Sequence, residues 1–215
     1  TNTFTYTILS NFSSGAMTGP ASATQCYNYD PTTLTANPSG GAGTYTYQWQ
    51  SSPAGCAGWA NIGGATASTY DPPALTSTTC YRVMVDATGS PDCGGSTAST
   101  NTFTYTILSN FSSGAMTGPA SATQCYNYDP TTLTANPSGG VSYSYIWQSS
   151  PAGCAGWANI GGATASTYDP PALTSTTCYR VMVDATGSPD CGASTASTNT
   201  FTYTILSNFS SGAMT

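Results

Sequence analysis

In this chain of 215 residues only 5% are charged, and two cations face eight acidic residues for a net charge of −6. An ordinary soluble domain carries about 25% charged residues; a net-negative chain with neither Lys nor His gives nucleic acid or an anionic membrane little to bind. Polarity comes instead from Thr, Ser, Gly, Asn and Gln, while fifteen Tyr, four Trp and regular apolar alternation exclude a disordered chain.

The run that begins at Thr1 returns almost unchanged at Thr100, and its first eighteen residues return again at Thr198. A period near 100 residues is too long for a solenoid repeat and matches one small domain. The copies differ at few places: Ala42-Gly43-Thr44 becomes Val141-Ser142, Thr46 becomes Ser144, Gln48 becomes Ile146 and Gly95 becomes Ala193.

In chain order, alternation of period two predicts strands. Phe4, Tyr6 and Ile8 share one face of Thr3–Ile8, with Thr on the other. A short strand is expected over Thr32–Ala36. Thr44–Gln50 alternates with Tyr45, Tyr47 and Trp49 on one face, and shorter strands follow at Trp59–Ile62 and Ala67–Tyr70. Cys80–Val85 sets Tyr81, Val83 and Val85 against Cys80, Arg82 and Met84. Asn101–Leu108 closes the repeat. Turn signals separate these runs, among them Asn37-Pro38-Ser39-Gly40-Gly41, Ser52-Pro53-Ala54-Gly55 and Asp71-Pro72-Pro73. About seven short strands with a Trp on the third predict an all-β chain of tandem immunoglobulin-like β-sandwiches.

Each repeat holds four cysteines: Cys26, Cys56, Cys80 and Cys93, then Cys125, Cys154, Cys178 and Cys191. With no CxxC pair and no His, they read as two disulfides per domain in an oxidising compartment rather than as a zinc site. Four cysteines allow three connectivities.

The succession Tyr47-Gln48-Trp49-Gln50-Ser51-Ser52, Trp59-Ala60-Asn61-Ile62-Gly63-Gly64, Tyr70-Asp71-Pro72-Pro73-Ala74-Leu75-Thr76 and Thr78-Thr79-Cys80-Tyr81-Arg82-Val83 resembles immunoglobulin-like repeats of giant Bacteroidota surface proteins. These include SprB-type gliding adhesins and related cargo of the type IX secretion system. The resemblance spans essentially the whole repeat, twice, and implies a surface location, with gliding as a narrower implication. Cys80 stands where that family usually has an aromatic, and Cys56 is also unusual. The resemblance therefore implies the pairs Cys56–Cys80 and Cys26–Cys93, with Cys154–Cys178 and Cys125–Cys191 in the second copy. Cys26–Cys80, the analogue of the antibody inter-sheet bond, stays open as the alternative.

The expected boundaries are a closing strand of a preceding repeat at 1–9, repeats at 10–108 and 109–206, and the start of a further repeat at 207–215. The short junction around Phe111 places that ring, like Phe12 and Phe209, at the contact between repeats. Trp59 and Trp157 are candidate sugar platforms, although an edge-strand Trp packed on its sheet is the blander alternative. Tyr27 and Tyr29 form a candidate recognition patch or a loop packed over a disulfide. Arg82 and Asp86, close on one strand, are a candidate surface ion pair. Asn11, Asn110 and Asn208 head Asn-Phe-Ser sequons. The four Asp of a repeat are scattered and form no calcium loop.

No residue set has the pattern of a nucleophile with its base, so an enzyme, and with it a cofactor, is not expected. The reading is a structural stalk of an extracellular bacterial surface fibre or adhesin. Its partners would be neighbouring repeats and laterally associated chains. A multivalent polysaccharide-binding array is the alternative. No apolar run is long enough to insert in a membrane.

Overall fold

The structure is a computed structural model and describes residues 2–41, 43–88, 94–187 and 189–209. It divides into two compact units, 1–108 and 109–215. The strands of the first are β1 (Thr24–Gln25), β2 (Leu34–Thr35), β3 (Tyr45–Pro53), β4 (Ala60–Asn61), β5 (Thr69–Tyr70), β6 (Thr79–Ala87), β7 (Gly94–Ala98) and β8 (Phe103–Ile107). The second repeats them as β9 (Thr123–Gln124), β10 (Leu133–Thr134), β11 (Tyr143–Pro151), β12 (Ala158–Asn159), β13 (Thr167–Tyr168), β14 (Thr177–Ala185), β15 (Gly192–Ala196) and β16 (Phe201–Ile205).

The backbone of each unit is one long antiparallel pair. In the first, β3 and β6 run from Tyr45 opposite Ala87 to Pro53 opposite Thr79. Two strands share the other edge of β6: β8 lies against Thr79–Tyr81 and β7 against Met84–Ala87. β4 flanks β3, and β1 lies parallel to β8. The facing sheet is small, β2 against β5, with Thr18 bridging to Thr35. The second unit has the same order.

Alternation then fixes the core. Trp49, Val83, Val85 and Tyr105 come from the large sheet and Leu34 from the small one, all fully buried. The Trp49 indole N–H donates to Ala67 O at 2.9 Å, so burial leaves no polar atom unpaired. Tyr81 and Tyr105 pack into the same core, their rings tilted at 58° with centroids 6.3 Å apart. Burial pushes both phenols up, Tyr105 to about 12, because a phenolate there would lose its water. These two sheets closing one core make each unit an immunoglobulin-like β-sandwich.

The closing strand forms as β8 inside the expected Asn101–Leu108, an additional strand, β7, precedes it, and the connection at 99–102 is clamped to the start of the repeat. Asn101 Oδ1 accepts from Met17 N at 2.7 Å and its Nδ2 donates to Met17 O at 3.0 Å, imitating one rung of a sheet. Ser14 Oγ donates to Ala98 O at 2.6 Å, and Thr100 N to Gly15 O at 2.9 Å. Gly15 is required here: its φ is +66°, and a Cβ would collide with the Asn37 carbonyl.

The segment 2–12 forms no strand, although it repeats the sequence of β8. Phe4, Tyr6 and Ile8 are exposed, Ile8 at 92%. Sequence identity does not help them, because β8 already fills the edge of β6 in that unit.

Candidate functional site

The disulfide Cys56–Cys80 bridges the loop after β3 to the start of β6, with Cα atoms 5.6 Å apart. Cys154–Cys178 does the same in the second unit. Register explains it. Cys80 lies between Ser52 and Thr104 on the sheet, and Ser52 begins the turn that carries Cys56 back. Cys56 takes φ +52° to complete that turn, and Ser52 Oγ accepts from Gly58 N at 3.0 Å. The Thr104 hydroxyl sits 3.5 Å from Cys56 Sγ. Cys80 is fully buried despite lying on the face opposite Val83, because its own disulfide and Thr104 cover it.

The outer cysteines behave differently. Cys26 and Cys191 are disulfide-bonded, while Cys125 carries a free, exposed thiol. The expected bridge Cys125–Cys191 is therefore absent. Cys125 follows β9, whose Gln124 pairs with Ile205 beyond the Thr177 end of β14. Cys191 precedes Gly192, which pairs with Ala185 at the other end. The expected bridge Cys26–Cys93 involves Cys93, which lies outside the described residues, as do 210–215 of the expected further repeat.

Trp59 and Trp157 are half-buried. The Arg82 guanidinium lies 4.4 Å over the Trp59 ring, and Arg180 likewise over Trp157. Arg82 Nε donates to Gln50 Oε1 at 2.7 Å, and Gln50 Nε2 to Asn61 Oδ1 at 2.7 Å. The cluster spans β6, β3 and β4 on the outer face and recurs through Arg180, Gln148 and Asn159. It can stack and hydrogen-bond, and it holds no nucleophile or base. The Arg82 guanidinium is held by Gln50 and the Trp59 ring, and among the described residues this contact stands in place of the expected ion pair with Asp86.

The remaining candidates separate. Tyr29 packs on Tyr105 at 5.8 Å and belongs to the core, whereas Tyr27 stays 44% exposed. Asn11, Asn110 and Asn208 are exposed. Phe12 packs on Tyr45 and Phe111 on Tyr143, each within its own repeat. A shallow cleft lined by Ile62, Thr66, Thr69, Tyr70 and Asp71 recurs at Ile160, Thr164, Thr167, Tyr168 and Asp169. Among the described residues no group of three His, Cys, Asp or Glu converges to hold a metal. No helix is long and apolar enough to cross a membrane.

The sequence pattern could not place the Asn101 clamp or the Gln50–Arg82–Asn61 ladder, since each joins residues distant in the chain. The outer-face parity of Gln50 and Arg82 was the only available signal.

Among solved structures, the chain is similar to the first two immunoglobulin domains of DIP-gamma, at 10% identity and TM-score 0.46, over 86% of this chain and 93% of that one. It is similar to the four N-terminal immunoglobulin domains of Dscam1 isoform 6.9, at 12% identity and TM-score 0.42, over 89% of this chain and 46% of that one. Extracellular domains 3–5 of Drosophila OTK match at 11% identity and TM-score 0.42, over 88% of this chain and 60% of that one. No curated protein matches the sequence. Residues 15–108 and 114–206 each match a family described as a domain of unknown function (DUF8696), and the chain belongs to that family.

Proposed function

We propose that these repeats are stalk modules of an extracellular surface fibre or adhesin, giving length and mechanical stability. One observation carries this reading. The same sandwich is built twice with nearly identical side chains, and each copy spends its polar residues on clamps and turns. Asn101, Ser14 and Gln50 all hold the fold, and none is aimed into a cleft. The disulfides support an oxidising, extracellular setting. The resemblance to SprB-type repeats extends the reading to a bacterial surface and to attachment or gliding. The chain is not an enzyme on this account. Low charge leaves little repulsion against lateral association of chains.

The recurrence of Trp59 and Trp157 beside Asn61 and Asn159 favours a second reading, an array that grips polysaccharide weakly at each repeat. A panel of immobilised polysaccharides separates the two. The stalk reading expects no retention of the chain above background. Retention that is lost in Trp59→Ala, Trp157→Ala would support the array instead.

A further inference from the structure

The second sandwich has a strand edge without a partner. Trp147 turns its main chain to the outer edge of β11, where its N–H donates to Ala163 O at 3.1 Å and its carbonyl accepts from Ile160 N at 2.8 Å. β12 continues that edge only along Gln148 and Ser149. Main-chain groups two residues apart in a strand point to the same side, so Tyr145 and Tyr143 present theirs to this edge too. Among the described residues no strand and no backbone hydrogen bond meets them there.

The two repeats treat this edge differently. In the first, Gln48 Nε2 donates to Trp49 O and Ile62 O and so ties the outer side of β3 to the end of β4. In the second, Ile146 stands there, exposed, and the exposed Val141 lies just before β11. Apart from Gly95→Ala193, every difference between the copies falls on this strand or just before it. Charges and prolines are the usual guards of an exposed edge, and residues 141–150 contain neither.

The segment 2–9 is the converse, a strand sequence without an edge. Its residues 4–8 are identical to β8, which shows that this sequence forms a strand when an edge is offered. Phe4, Tyr6 and Ile8 are all exposed, and the segment carries no charge.

We propose that the β11 edge at Tyr143–Tyr145 is a docking site for the segment 2–9 of a second copy of this chain, which adds to the sheet as a further strand. Main-chain hydrogen bonds supply the affinity of such an addition, and alternate side chains set its register. With Phe4, Tyr6 and Ile8 on the core side, they continue the half-buried rings of Tyr143 and Tyr145, and the intervening Thr residues lie beside Ile146. Residues opposite one another across two strands share a face. In this parity the N–H and C=O of Phe4, Tyr6 and Ile8 are therefore the groups that meet Tyr143 and Tyr145. The contact joins one segment to one sandwich of a different molecule. It goes beyond the stalk reading and holds whether or not the chain bears load.

The test is sedimentation velocity of the full 215-residue chain over a concentration series, with the exposed Cys125 thiol blocked so that only non-covalent association is read. Hydrogen exchange is followed on the same samples. Association should rise with concentration and slow the exchange of the Tyr143 and Tyr145 amides. Tyr6 belongs to no strand, so substitutions there leave both sandwiches intact. Tyr6→Ala trims the side chain and keeps the N–H; Tyr6→Pro also removes the N–H, and should weaken association at least tenfold beyond Tyr6→Ala. Ile146→Gln, which restores the residue of the first repeat, should weaken it as well. A chain that stays monomeric overturns the proposal. So does equal weakening by Tyr6→Pro and Tyr6→Ala, which would mean apolar clustering without strand pairing. Protection that appears at β6 or β14 in place of β11, or that is already complete in the monomer, overturns it too.

Discussion

Arg82 covers the Trp59 ring at 4.4 Å while its Nε is spent on Gln50. The only cation of the first repeat thus caps an aromatic and pairs with no carboxylate among the described residues. Arg82→Gln should cost about 0.5–1 kcal/mol, the scale of an exposed cation–π contact, and should redden Trp59 fluorescence as water reaches the ring. Chemical denaturation with fluorescence detection checks both.

Trp49 lies opposite Val83 and is fully buried with its indole N–H bonded to Ala67. Trp49→Ala should destabilise the first repeat by about 3–5 kcal/mol, as large aromatic truncations in cores do. A urea titration would then resolve two transitions, since Trp147 still holds the second repeat.

The long strands were legible because alternation there is strict: Tyr45, Tyr47 and Trp49 face Val83 and Val85 as the pattern predicts. The two-residue strands and β7 were not. Gly94-Gly95-Ser96-Thr97-Ala98 carries no apolar alternation and is a strand only because Met84–Ala87 leaves an edge to fill. Phe4, Tyr6 and Ile8 show the converse, a strand pattern left without an edge. The expected bridge Cys125–Cys191 failed for the same reason: pairing depends on which end of the sheet each occupies, and that follows from register, which one-dimensional spacing does not contain.

Gln48 Nε2 donates to Trp49 O and Ile62 O, both at 2.9 Å, and the second repeat replaces it with Ile146, which is 41% exposed. Ile146→Gln should restore two hydrogen bonds to that edge and raise the stability of the second repeat by about 0.5–1.5 kcal/mol. Differential scanning calorimetry of the variant against the unmodified chain reads the shift.

Tyr105, Tyr179 and Tyr203 are each pushed up to about 12 by burial, from an ordinary value of 10.0. Unfolded, these phenols ionise near that ordinary value, so the folded state holds more protons between pH 10 and 12. Their contribution is complete below pH 10 and is lost as pH rises toward 12. Stability should be flat through neutral pH and fall across that window. Phenolate absorbance from the buried set should appear together with loss of the fold.

Under the proposed function each repeat is a stalk module under tension, stapled by Cys56–Cys80 or Cys154–Cys178, each closing 24 residues. Stretching the chain by its ends, in oxidant and then in reductant, tests this most directly. In reductant two unfolding events are expected, one per repeat. In oxidant the full extension should be shorter by at least roughly 80 Å per repeat, the reach of the closed residues at up to about 3.6 Å each. A featureless extension of equal length in both conditions would contradict it.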